Sequence, residues 1–189
     1  MKKTFFPVLV LLMSLFVACH PSAQKGHKNQ VKTTIPEDWK KLDEPEFVIF
    51  YPDTFELQKP QVNVMGMKFI LLSKSTSPQD NFRENINLVI QDLNGRSLSL
   101  DMYKKEIENN LSKIITDGHL LKVEKVKNGD TEFLRVIYTG KQGQYDLKWE
   151  QFIWIKDRKM YILTLTTAIN QFDHYAPVAE KIMKTFQIK

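Results

Sequence analysis

Apolar residues in the first half of the chain cluster in short runs whose length and composition are typical of β-strands. The run FVIFY at residues 47–51 is rich in β-branched and aromatic side chains, and Pro52 and Asp53 close it with a turn. MKFILLS at residues 67–73 and INLVIQDL at residues 86–93 have the same character. The pattern predicts three strands, the last two joined by a long polar loop.

The hydrophobic period changes to that of a helix after residue 99. Ser99 is a favourable N-cap, and Asp117-Gly118 supplies a stop. Apolar side chains between these signals recur at spacings of three and four residues, which places them on one face of a helix: Leu100, Tyr103, Ile107, Leu111 and Ile114. We predict an amphipathic helix here.

The second half of the chain predicts a meander of strands followed by a final helix. Asn128-Gly129 is a strong hairpin signal, and a polar KDRK turn joins the next two runs; the four predicted strands are residues 120–127, 132–139, 147–155 and 160–167. Because Pro177 lacks an amide donor, we place the start of the final helix at residues 174–176. The pattern predicts a single α+β domain, an antiparallel β-sheet flanked by amphipathic helices in layers.

The N-terminal residues have the pattern of a bacterial lipoprotein leader. Two lysines precede an apolar run at residues 5–17, which is shorter than the roughly 20 residues of a membrane-spanning helix. Residues 15–19, LFVAC, resemble a lipobox, and an intramolecular disulfide would need a second cysteine that the sequence lacks. We expect a signal peptide at residues 1–18, a lipidated Cys19, a flexible polar tether at 19–41 and the folded domain at 42–189.

The formal charge of +5 does not indicate a nucleic-acid-binding protein. The whole surplus lies in residues 1–41, which contain seven lysines and two acidic residues, while the predicted domain is neutral. Binding to phosphate backbones requires a basic surface that this domain lacks. We therefore expect the chain to meet a membrane, through Cys19, and not nucleic acid.

The sequence contains no recognisable catalytic, nucleotide-binding or metal-binding motif. The stretch Gly140-Lys141-Gln142-Gly143 differs from a phosphate-binding loop, since Arg135 stands where the first glycine is required and Gln142 where Ser or Thr is required. His119 and His174 each lack a paired ligand at helix or strand spacing. We expect no enzymatic activity, no cofactor, no nucleotide and no metal.

Two sets of residues are candidates for binding. A glycine-containing turn carries exposed aromatic and polar side chains suited to a protein partner, although its tyrosines could instead pack on the sheet: Tyr138, Lys141, Gln142, Tyr145 and Lys148. A small-molecule pocket between the sheet and the last helix is the alternative, with Trp149, Trp154 and Tyr161 as lining residues.

Several segments resemble the PsbP-like superfamily, specifically its bacterial DcrB-like lipoprotein branch. These are FVIFYPDTFEL, ENINLVIQDL, SLSLDMYKKEIENNL, FLRVIYTGKQGQYDLKWEQFIWIKDRKMYILTLTT and FDHYAPVAEKIMKTFQI, which together span about residues 47–188. The resemblance implies an antiparallel sheet flanked by helices. Its better-known members, an extrinsic photosystem subunit and a nuclear Ran-binding protein, are accessory factors that dock to larger partners and are not catalysts.

Together these observations predict a membrane-anchored lipoprotein of the bacterial cell envelope, held on the periplasmic side of the outer membrane. We expect a non-enzymatic accessory domain that docks to an envelope protein. The alternative is a small-ligand-binding lipoprotein with its pocket between the sheet and the last helix.

Overall fold

The computed structural model describes residues 35–61, 65–75, 77, 81–129 and 131–189. Cys19, the predicted signal peptide and most of the predicted tether lie outside the described residues. The elements in chain order are β1 (Lys40–Asp43), β2 (Phe47–Tyr51), β3 (Phe55–Gln58), β4 (Met67–Ser73), β5 (Asn85–Asp92), α1 (Leu100–Ile114), β6 (Thr116–Asn128), β7 (Thr131–Gln142), β8 (Tyr145–Lys156), β9 (Lys159–Ala168), α2 (Phe172–Lys184) and β10 (Gln187–Ile188).

These strands form two antiparallel sheets. The large sheet has seven strands in the order β3-β4-β5-β9-β8-β7-β6, and the small sheet has three in the order β1-β2-β10. Strands of alternating hydrophobicity give the large sheet two apolar faces. We call them the α1 face and the α2 face after the helix that packs on each.

The core is divided between these two faces. On the α2 face, α2 and the small sheet pack on aromatic and aliphatic residues, among them Phe69, Phe152 and Trp154. On the α1 face, Leu111 of α1 packs with Val136 and Trp149. The small sheet is closed by the C-terminus, where the Lys189 amide donates to the carbonyl of Glu46 at 3.1 Å. The predicted single α+β domain is confirmed.

Most predicted elements are observed, with small shifts at their ends. Ser99 is the N-cap of α1, and its hydroxyl accepts from the Met102 amide at 3.2 Å. Strand β5 covers residues 85–92, one residue earlier than predicted, and the β6–β7 and β8–β9 hairpins extend beyond the predicted strands. Strand β1 begins at Lys40, two residues before the predicted domain boundary, and β3 and β10 were not predicted.

The predicted start of the final helix is wrong. Helix α2 begins at Phe172, after a 3₁₀ turn at Ile169–Gln171, so Pro177 lies inside the helix. Its missing amide leaves the Asp173 carbonyl without the usual helical bond, but both residues are exposed and water can bond that carbonyl. Burial of Phe172 in the core favours the earlier start.

Candidate functional site

Helix α1 covers only part of its face and leaves a groove beside it. The helix packs on β6 and β7. The central strands on the other side of the face border an open cavity of about 700 Å³, which we call the β5 groove. Its floor consists of Met67, Ile70 and Leu72 from β4, Asn85 and Asn87 from β5, and Leu147 and Thr166 from β8 and β9.

The strands beneath the groove repeat the same chemistry in two neighbouring rows, although Thr164 of the second row is not itself a lining residue. In the first row, Asn85 is paired with Leu72 on β4 and with Thr166 on β9. In the second row, Asn87 is paired with Ile70 and Thr164 in the same arrangement. Each row therefore places a carboxamide between an aliphatic side chain and a threonine.

The two asparagines keep most of their hydrogen-bonding capacity. The Asn85 Nδ2 donates to the Arg83 carbonyl at 3.4 Å, and the Asn87 Nδ2 donates to the Asn85 Oδ1 at 3.4 Å. Both distances are well beyond the usual 2.9–3.0 Å of an N–H···O bond, so these contacts are weak. The side chains are half-buried, which makes them accessible from the groove.

One wall of the groove is the β7–β8 turn, residues 142–145, held against the segment that leads into β5. The Tyr145 hydroxyl donates to the Asn81 carbonyl at 2.9 Å, and its ring lies 5.0 Å from that of Phe82. Gly143 has φ of +60°, which a glycine adopts without strain and which closes the turn. The turn and this segment therefore form a continuous wall.

No described residue that lines the groove carries a charge. Nearby on the same part of the sheet, the Arg83 Nη2 lies 2.6 Å from the Glu56 Oε2, so that charged pair is internally compensated. The groove offers amide, hydroxyl, aromatic and aliphatic groups to a ligand. Its described lining residues include no nucleophile–base pair.

The structure brings only part of the predicted contact surface together. Gln142 and Tyr145 line the groove. Tyr138 is buried and stacks on Trp149, with ring centroids 5.0 Å apart, and burial raises its pKa. The Lys141 Nζ pairs with Asp117 at 2.9 Å, which raises the lysine's pKa.

Lys148 belongs to the opposite face of the sheet. Its Nζ lies 3.8 Å from the centre of the Phe172 ring at the start of α2. Lys148 and Tyr145 therefore do not form one surface, although only two residues separate them in sequence.

The three residues predicted to line one pocket do not meet. Trp149 lies on the α1 face, whereas Trp154 and Tyr161 lie in the core of the α2 face. Trp154 follows Trp149 by five positions on β8, and because this offset is odd, alternation sends the two side chains to opposite faces. The prediction that these three residues line one pocket is therefore wrong.

Trp154 does line a second cavity, which lies at the C-terminal end of α2. This cavity measures about 1170 Å³ and reaches the β6–β7 hairpin. Phe133 and Phe152 of the sheet and Met183 and Phe186 of the C-terminal segment contribute to its apolar part. Trp149 and Tyr161 are not among its lining residues.

Glu150 is the most buried ionisable side chain near the middle of the sheet. It is 1% exposed, and the Arg135 Nε donates to its Oε1 at 2.6 Å. Burial raises the pKa of Glu150 against the opposing effect of Arg135. A shifted pKa is a feature of functional sites, but Glu150 lines neither cavity and its partner Arg135 also lies 3.7 Å from Glu180 of α2. The pair joins the sheet to α2.

The described residues contain no group of three or more His, Cys, Asp or Glu side chains that could hold a metal ion. None of the helices in the described part of the chain is both long and apolar enough to cross a membrane.

Sequence reasoning missed the two asparagines and Thr166. The signal was present in NINLVIQD, residues 85–92, where Ile86, Leu88 and Ile90 point to one face and the alternate positions include Asn85 and Asn87. Uncharged amides that alternate with buried aliphatic residues predict a face that is neither core nor charged surface.

Comparison with known proteins identifies the fold. No family model matches the chain, and the comparison with curated proteins found no match. The solution structure of the cyanobacterial PsbP (CyanoP) of Synechocystis sp. PCC 6803 aligns with a TM-score of 0.58 at 12% identity, covering 80% of this chain and 93% of that chain.

Two further structures align over a similar share of this chain. PA94 of Pseudomonas aeruginosa aligns with a TM-score of 0.56 at 17% identity over 78% of this chain and 94% of its own. LpqN, which is involved in cell envelope biogenesis of Mycobacterium tuberculosis, aligns with a TM-score of 0.52 at 10% identity over 80% of this chain and 90% of its own. These likenesses establish that the chain has a PsbP-like fold, as its sequence resemblance predicted.

Proposed function

We propose that this chain is a lipid-anchored accessory domain of the bacterial cell envelope that docks to a protein partner and has no catalytic activity. The observation that carries the proposal is the β5 groove, an open surface of the large sheet whose described lining residues carry no charge. Its wall contains Gln142 and Tyr145 from the turn that the sequence singled out for partner contact.

The structural neighbours support an accessory role outside the cytoplasm. LpqN is involved in cell envelope biogenesis, and CyanoP is a cyanobacterial PsbP. In the proposal, Cys19 carries the lipid and residues 19–41 hold the domain away from the membrane, on the periplasmic side of the outer membrane. One acyl chain alone gives only marginal membrane binding, so an anchor with two or more chains is required. Membership of the DcrB-like branch stays a prediction.

The test has two parts, the anchor and the partner. Labelled palmitate should be incorporated into the full-length chain in its native envelope and not into a Cys19→Ala variant. Chemical crosslinking of the tagged chain in intact cells should then capture one abundant envelope protein. An unlabelled wild-type chain would reject the anchor, and the absence of any specific crosslinked partner would reject docking.

A second candidate function is binding of a small ligand in the cavity at the end of α2. Its volume of about 1170 Å³ and its aromatic lining, which includes Trp154, favour this alternative. A ligand there should quench or shift tryptophan fluorescence and raise the melting temperature. The signal change should be smaller in Trp154→Phe than in Trp149→Phe, because Trp149 lies on the other face. A metabolite screen with no thermal shift would dismiss this candidate.

A further inference from the structure

We infer that the β5 groove binds an extended, uncharged segment of a partner polypeptide, and that Asn85 and Asn87 hydrogen-bond the backbone of that segment. The inference rests on the proposed docking function and names the chemistry of the part that docks. It depends on the spacing of the asparagines, on what flanks them and on the charge of the groove.

The spacing of the two asparagines equals the repeat of an extended polypeptide. Asn87 follows Asn85 by two positions on β5, so their Cα atoms lie about 6.8 Å apart along the strand. Both side chains leave the same face, where the Asn87 Nδ2 comes within 3.4 Å of the Asn85 Oδ1. A segment lying along β5 has the same two-residue repeat, and it therefore presents equivalent backbone groups to both side chains. A carboxamide has a donor and an acceptor, which match the N–H and C=O groups of a peptide.

The flanking residues repeat with the asparagines. Leu72 and Ile70 lie beside them on β4, and Thr166 and Thr164 lie beside them on β9. A segment with its backbone over β5 would rest alternate side chains on the two aliphatic residues of β4. This arrangement gives backbone recognition at the centre of the groove and apolar contact on one side.

The charge of the groove restricts the side chains that can enter. No described lining residue is charged, and the neighbouring pair Arg83–Glu56 is already compensated at 2.6 Å. A lysine or glutamate placed in the groove would lose water without gaining an opposite charge, which is unfavourable. The docked positions of the segment should therefore be uncharged.

The two asparagines disfavour a lipid chain as the occupant. An acyl chain lying over Asn85 and Asn87 would remove water from both carboxamides and return no hydrogen bond, since their existing contacts are long. A glycan could hydrogen-bond the two carboxamides, but the spacing of its sugar units need not match the two-residue repeat of a strand. The experiment must therefore distinguish a glycan from a peptide.

The experiment measures binding of defined peptides to the full-length chain in detergent micelles. The probes are fluorescent decapeptides that alternate Val or Leu with Thr or Asn, and matched peptides with Lys or Glu at alternate positions. Because the proposed recognition is through the peptide backbone, the probes need not match the partner's own sequence, and many of the uncharged peptides should bind. We expect the charged counterparts to bind at least tenfold more weakly.

The variants locate the binding site. Asn85→Ala combined with Asn87→Ala should weaken binding tenfold or more, whereas the matched pair Asn109→Ala and Asn110→Ala, on the exposed surface of α1, should not change it. Thr166→Val, which keeps the shape of the side chain, is the second groove variant and should also weaken binding. It locates the site even if the double asparagine variant fails to fold.

Three results would overturn the inference. The first is that no uncharged peptide binds, and the second is that peptides bind equally well to the groove variants. The third is that chitotetraose binds in a manner that requires the two asparagines, while the peptides do not bind. The in-cell crosslink tests docking separately. If a partner is captured in cells but the peptides do not bind, only the proposed peptide chemistry is rejected. If no partner is captured in cells, the proposed function is rejected.

Discussion

Arg135 and Glu150 form a hydrogen-bonded ion pair between neighbouring strands, with 2.6 Å between the Arg135 Nε and the Glu150 Oε1. Glu150 is 1% exposed, while the side chain of Arg135 is 25% exposed. Removing the arginine would leave a buried carboxylate without its partner. We expect Arg135→Met to lower the free energy of unfolding at pH 7 by about 3–5 kcal/mol, measured by urea denaturation.

The same pair makes a prediction about pH. Burial raises the pKa of Glu150 above its ordinary value of 4.5, although Arg135 lowers it. The folded state therefore binds this proton more tightly than the unfolded chain does. The resulting stability is complete below pH 4.5 and is lost as the pH rises through the folded-state pKa.

Glu150→Gln cannot ionise and keeps an oxygen for the Arg135 Nε. We expect it to be at least as stable as the wild type at pH 7, with a smaller loss of stability between pH 4.5 and neutrality. Urea unfolding across this range measures both effects. A Gln variant that is clearly less stable at pH 7 would show that the ionised pair stabilises the fold.

Gly140 gives a steric prediction at the end of α1. A Cβ there would lie 2.4 Å from the Ile115 Cγ2 and 2.9 Å from the Thr116 carbonyl oxygen. We expect Gly140→Ala to cost about 2–3 kcal/mol, since the added Cβ must displace the Ile115 side chain and the backbone of Thr116. Gly143→Ala is the matched control, because its Cβ meets no atom within 4 Å and only its positive φ opposes substitution. Equal losses of stability in the two variants would contradict the close packing at Gly140.

Tyr145 gives a prediction about the groove wall. Tyr145→Phe removes the bond to the Asn81 carbonyl and should cost about 0.5–1.5 kcal/mol, while Tyr145→Ala also removes the contact with Phe82. We expect faster amide exchange at residues 142–145 in the alanine variant and weaker partner capture. Unchanged exchange in this turn would show that the aromatic contact does not hold the wall.

A Lys148 variant distinguishes the contact surface predicted from the sequence from the groove seen in the structure. Its Nζ lies over the Phe172 ring on the α2 face, so Lys148→Met should lower stability by about 0.5–1 kcal/mol. Partner capture should remain at the wild-type level, because the groove lies on the other face. If Lys148→Met abolished capture without unfolding the chain, the docking surface would have to include the α2 face.

The fold was predictable because its signals are local. Ser99 caps α1 through its own hydroxyl, and Asn128-Gly129 joins two strands that pair with each other. The start of α2 was not predictable from Pro177, because the burial of Phe172 outweighs the bond that proline removes. Short strands such as β1 and β10 depend on pairing with β2, which the local sequence does not reveal.

The candidate site was less predictable because it depends on which face each strand turns outward. The turn containing Gln142 and Tyr145 was recognisable from its composition. The asparagines that share the groove with it come from β5, more than 50 residues earlier. Only the register of β5 with β9, and of β9 with β8, brings these residues onto one face.

Docking through the β5 groove is the central claim, and site-specific photocrosslinking in intact cells tests it most directly. A photoreactive amino acid would replace Gln142, which lines the groove, or Lys181, which is exposed on α2, in the full-length anchored chain. We predict a discrete crosslinked partner from position 142 and none from position 181. A partner captured from position 181 and not from position 142 would contradict the account.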